Sequence, residues 1–70
     1  SKSDVKEYEE AIKDFNKVLE LAPTDTEAIS ERAYAKYQLF DDSGACMDWK
    51  KAAELGSEFA REQMVKHCDK

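Results

Sequence analysis

Cys46, His67 and Cys68 are the side chains that could do metal chemistry, because thiolate and imidazole are good zinc ligands. Their spacing argues against it. His67 and Cys68 are sequence neighbours, which on a helix point about 100° apart, and no fourth ligand is evident. No metal and no other cofactor is therefore expected. The two cysteines read first as small buried hydrophobes, Cys46 on an inward helical stripe and Cys68 on the apolar side of the last helix. A disulfide between them requires that last helix to lie across the third one, within a narrow geometric window. His67 stands near the end of the chain and reads as a solvated residue. No nucleophile has a base in its sequence context and no glycine-rich loop could cradle phosphate, so neither a catalytic residue nor an enzymatic activity is expected. The acid pairs Glu9-Glu10 and Asp41-Asp42 read as a wet helix face and an N-cap.

The charge balance narrows the partners. Eleven Lys and Arg stand against 16 Asp and Glu, and the net charge of -5 repels phosphate backbones and anionic membrane surfaces. Nucleic acid and membrane are accordingly not expected as partners. No apolar run approaches a membrane span, and no basic start followed by an apolar stretch suggests a signal peptide. Two cysteines are too few for the disulfide framework of a secreted domain, and they leave the compartment open between cytoplasm and periplasm.

The elements that must position these residues are helices. One Pro and two Gly among 39% charged residues is a helix composition. Tyr8, Ala11, Ile12, Phe15, Val18, Leu19 and Leu21 recur at helical spacing, with Asp4 and Glu7 as a start signal and Pro23 as a stop. Thr24 with Glu27 signals a second start, for a helix carrying Ala28, Ile29, Ala33, Ala35, Leu39 and Phe40. Asp41, Asp42 and Ser43 offer N-cap oxygens to a third helix, whose inward stripe is Ala45, Cys46, Trp49, Ala52, Ala53 and Leu55. Gly56 stops that helix and Ser57 caps a fourth. About four helices with tight connections predict an all-α fold of antiparallel helix hairpins.

Sliding the sequence on itself pairs Ala11 with Ala45, Phe15 with Trp49, Val18 with Ala52 and Leu21 with Leu55, an offset of 45 − 11 = 34 residues. That is the tetratricopeptide period. Residues 4–22 resemble the second helix of such a repeat, residues 26–55 a complete repeat, and residues 57–69 the terminal helix that caps an array. Residues 1–70 thus read as one unit of an α-α superhelix. Gly44-Ala45-Cys46-Met47-Asp48-Trp49, with its Ala-Glu-Leu-Gly ending, resembles bacterial repeats of the family. The pattern departs where Phe40-Asp41-Asp42 replaces the usual Gly-Asp-Tyr turn. A left-handed Phe costs roughly 1–2 kcal/mol, so that turn is expected to be reshaped or strained.

The resemblance implies a protein-interaction or scaffolding module that holds a peptide or protein segment on the concave face. Carried over to this chain, that face is Glu27, Ser30, Tyr34, Tyr37 and Gln38, placed on one stripe by steps of three and four residues. The alternative is that Tyr34 and Tyr37 simply pack against a neighbouring helix. Family members that clamp a C-terminal carboxylate use Lys and Asn on this stripe, where Ser30 and Tyr34 stand here, so that activity is not expected. Arg32 and Lys36 lie off the stripe and are expected to pair with acids of the adjacent helix. The match begins at the second helix of a repeat. The apolar face of residues 5–21 is therefore expected to need cover from elsewhere, from parent segments, a homodimer or a helix swap, and a purely structural capping role is the second reading.

Overall fold

The structure, a computed structural model, describes residues 2–68, with side chains described from residue 5 onward. It holds four helices: α1 (Lys2–Leu21), α2 (Thr26–Gln38), α3 (Asp42–Glu54) and α4 (Glu58–His67). Each packs chiefly on its neighbour in sequence, α1 on α2, α2 on α3 and α3 on α4. With connections this short, each pair is an antiparallel hairpin. The stack is a slab with principal extents of 32 × 32 × 15 Å.

Two junctions share one construction. At the end of α2, Phe40 N donates to Tyr37 O at 3.0 Å and Asp41 N to Lys36 O at 2.9 Å. At the end of α3, Gly56 N donates to Ala53 O and Ser57 N to Ala52 O, both at 3.0 Å. Both pairs satisfy the last free carbonyls of a helix around one left-handed residue. The residue that follows then caps the next helix: the Asp41 carboxylate accepts from Gly44 N at 3.1 Å and Ser57 Oγ accepts from Ala60 N at 3.2 Å. Gly56 carries φ +107 without a Cβ to object, whereas Phe40 is forced to φ +64. The departure from Gly-Asp-Tyr is met by strain, not by a reshaped turn. Gly44 is also a position of close approach, since a Cβ there would run into the Asp41 carboxylate.

Two start signals differ from expectation. The second helix is capped by Asp25, whose carboxylate accepts from Ala28 N at 3.2 Å, and not by Thr24. Thr24 is consumed by the turn at Pro23, closed by Asp25 N donating to Ala22 O at 3.0 Å. Asp4 lies inside α1, which already begins at Lys2; its side chain, and with it the Asp4–Glu7 capping box, falls outside the described side chains.

The core runs through α2, α3 and α4. Ile29, Ala33, Ala45, Trp49, Ala52 and Ala60 form one buried cluster, with Leu19, Tyr37, Met64 and Cys68 packed around it. The alanines at the crossings let helix backbones approach, and Trp49, 1% exposed, fills the space between them. Its indole lies 5.9 Å from the Tyr37 ring and 5.5 Å from the His67 imidazole, and those two rings are 4.5 Å apart.

Candidate functional site

Along one side of α2 runs a trough of about 310 Å³, walled by Tyr8 and Phe15 of α1, floored by Ser30, Tyr34 and Ala35, and closed at one end by Phe59 of α4. A second recess of about 300 Å³ continues it through Ser30, Glu31 and Phe59 to Glu27 and Thr26. Tyr8 meets Tyr34 edge to face with ring centroids 6.3 Å apart, a contact that joins the α1 wall to the α2 floor. Ser30 is 5% exposed, and its Oγ has no hydrogen-bond partner. A buried hydroxyl left without a partner is costly, so Ser30 Oγ is a polar atom of the floor with bonding capacity to spare.

The five stripe residues separate. Glu27, Ser30 and Tyr34 border the trough, Glu27 exposed at its rim. Tyr37 sits about 60° around the helix from Tyr34 and packs instead on Trp49 and His67. Gln38 is half-buried and lines neither recess. Tyr8, Phe15 and Phe59 complete the walls. Tyr8 and Phe15 were visible only as an apolar stripe, and Phe59 only as part of the last helix; joining them needs the angle at which α1 and α4 dock.

On the opposite side of α2, Arg32 Nε and Nη2 each donate to one oxygen of Asp48 at 2.8 Å, and Lys36 Nζ lies 3.1 Å from the same carboxylate. Arg32 Nη1 also donates to Asn16 Oδ1 of α1 at 2.6 Å. The acid expected on the adjacent helix is thus Asp48, only 7% exposed, and Arg32 ties three helices together.

The end of the stack corrects the reading of the cysteines. Cys46 of α3 and Cys68, the C-cap of α4, are joined in a disulfide with Cα atoms 5.9 Å apart, and so are not free buried thiols. The bridge also removes both thiols as metal ligands. Among the described residues no group of three or more His, Cys, Asp and Glu is arranged to hold a metal. His67 is not a solvated terminal residue either. With Cys68 pinned to α3, the preceding ring is carried onto Tyr37 and Trp49.

No family model and no solved structure matches the chain. A curated protein of Drosophila melanogaster, "Tetratricopeptide repeat protein 36 homolog", is 43% identical over 65 residues, an alignment covering 86% of this chain. The 34-residue period and the stacked helix hairpins agree with the likeness to this relative. The chain is tetratricopeptide-like. It spans 35% of the relative's length, about a third. The relative is an insect protein, so the likeness to bacterial repeats gains no support from it. Within the tetratricopeptide-like unit, α2 and α3 form the central hairpin of the stack and the trough follows α2. No helix among the described residues is long and apolar enough to cross a membrane.

Proposed function

We propose that this tetratricopeptide-like unit is a protein-interaction module whose trough along α2 takes a segment of another protein, with Tyr34 and Phe59 as apolar anchors and Glu27 and Glu31 as an acidic rim. The observation that carries the reading is the pairing of an apolar trough with Ser30 Oγ, buried and without a partner at its floor. A bound segment presenting an apolar side chain and a backbone or side-chain polar group would cover both. Half-exposed aromatic rings supply contact area at low entropy cost, as binding surfaces commonly do. Tyr37 acts indirectly in this reading, through the core that fixes α2, and Gln38 has no part in it. Because one repeat and a half offers little concave surface, affinity from this unit alone is weak.

The test is selection of binders from a random peptide library, followed by titration and chemical-shift mapping. Shifts should concentrate at Ser30, Tyr34 and Phe59, and the Tyr34→Ala, Phe59→Ala double variant should lower affinity at least tenfold. Undiminished binding by that variant would remove the trough from consideration. Tyr37→Ala is unsuitable as a probe because it would loosen the packing of Trp49.

A second reading is self-association, favoured by Val18 and Leu21 standing exposed on α1. It makes the occupant a second copy, by dimerisation or helix swap. Sedimentation equilibrium over a hundredfold concentration range should then show mass rising toward the dimer, and a constant monomer mass would exclude it.

A further inference from the structure

We propose that the Cys46–Cys68 bridge is a reducible latch: a dithiol reductant opens it, α4 leaves α3, and Phe59 is withdrawn from the end of the trough. The last step rests on the groove reading above; the unlatching does not.

The inference begins with how little else holds α4. It is a ten-residue helix, below the length at which a helix persists alone in water. Its packing is chiefly on α3, through Ala60 and Met64, with the His67 ring set against Trp49 of α3 and Tyr37 of α2, while Phe59 and Val65 remain more than half exposed. One end is fixed by the Gly56-Ser57 junction and the other by the bridge, which closes a loop of 22 residues in sequence separation. Cutting the bridge frees the outer end of a helix that its α3 face and the His67 ring contacts must then retain.

The bridge is also reachable. Cys68 borders an open cleft of about 570 Å³ between α3 and α4, whose walls include Lys50, Glu54 and Arg61. Two cations against one acid favour the thiolates through which exchange proceeds. A thiolate of the dithiol attacks Sγ of Cys68, forming a mixed disulfide as the Cys46–Cys68 bond breaks and Cys46 departs as a thiolate that takes up a proton. The reductant's second thiol, deprotonated, then attacks its own sulfur in the mixed disulfide, closing the oxidised reductant and releasing Cys68 as a thiol. Two electrons pass to the protein, and one dithiol becomes one disulfide.

When α4 leaves, Trp49 and Tyr37 lose the His67 ring and the trough loses its Phe59 wall. The two faces of the molecule are thereby coupled through one short helix.

The experiment compares the full chain oxidised, reduced with dithiothreitol, and as the Cys46→Ser, Cys68→Ser double variant, by amide hydrogen exchange, Trp49 fluorescence and binding of the library-selected peptide. On reduction, α4 amides should exchange about a hundredfold faster, with α2 and α3 changing by less than about tenfold. Trp49 emission should move to the red, peptide affinity should fall at least tenfold, and the double variant should behave as the reduced protein. Unchanged α4 protection in the reduced protein or the variant would overturn the latch, as would a uniform rise over all four helices, which marks a global staple instead. Peptide binding unaffected by reduction while α4 is released would overturn the gating. Release of α4 with no peptide bound in either state would support the latch while sinking the groove reading.

Discussion

Phe40 and Gly56 hold the same place in two successive junctions, and the hydrogen bonds around them are nearly superimposable in length. Only glycine is suited to it. Phe40 is 92% exposed, so its side chain returns no burial for the left-handed backbone it is held in. Phe40→Gly should therefore raise stability by about 1 kcal/mol, the relief of strain offset in part by the extra freedom glycine brings to the unfolded chain. Urea denaturation would show this as a higher midpoint with unchanged slope, and a lower midpoint would contradict it. This strain was legible in the sequence because the left-handed position is fixed by the turn pattern. The Asp48 carboxylate was legible only as an unnamed acid, since choosing among the acids of α3 needs the register between helices. Removing it by Asp48→Ala leaves Arg32 and Lys36 facing each other across a mostly buried site. The expected loss is about 2 kcal/mol, below that for a fully buried pair because both cations keep some contact with water. High salt should restore little of it, and a substantial recovery in 1 M NaCl would show that the pair behaves as a surface one.

Helices here are bounded by side-chain caps that a one-residue shift can relocate. Thr24 and Asp25 are both competent cap residues, and the sequence alone has no means of choosing between them. The choice is made by the turn at Pro23, which uses Thr24 before the helix begins. Ser57 had no such competitor, and its cap was readable from the Gly56 stop beside it. Substitution there tests how far α4 depends on its own ends. Ser57→Ala removes the acceptor for Ala60 N and should cost about 1 kcal/mol. Since α4 is short and terminal in the stack, the loss should show as faster amide exchange within α4 before it shows in the global transition. A Ser57→Asp variant, which keeps the acceptor, should retain near-normal protection; if it exchanges as fast as Ser57→Ala, the cap is not what holds the helix start.

At the scale of the whole molecule, a stack in which each helix packs chiefly on its sequence neighbours behaves almost one-dimensionally, and its stability passes through whichever element touches most of the others. That element is α3. The 34-residue spacing made this architecture readable, because a repeated apolar pattern fixes which helices pair. Steps of three and four residues put Glu27, Ser30 and Tyr34 on a common face, but put Tyr37 and Gln38 there as well. The surroundings of Tyr37 and Phe59 depend on how the last helix crosses, and that crossing is tied by a bridge between two cysteines 22 residues apart. Trp49 is where these dependencies meet, since its ring touches a tyrosine of α2 and a histidine of α4. Truncation by Trp49→Ala should cost about 3–5 kcal/mol. A chain of this length has a total stability of only about 4–10 kcal/mol, so the variant should be extensively unfolded on mild warming. Circular dichroism should then show most of the helical signal lost, as α2, α3 and α4 give way together and α1 loses its main support, α2. Retention of most helical signal at 37 °C would mean that local helix propensity, not the shared core, carries the stack.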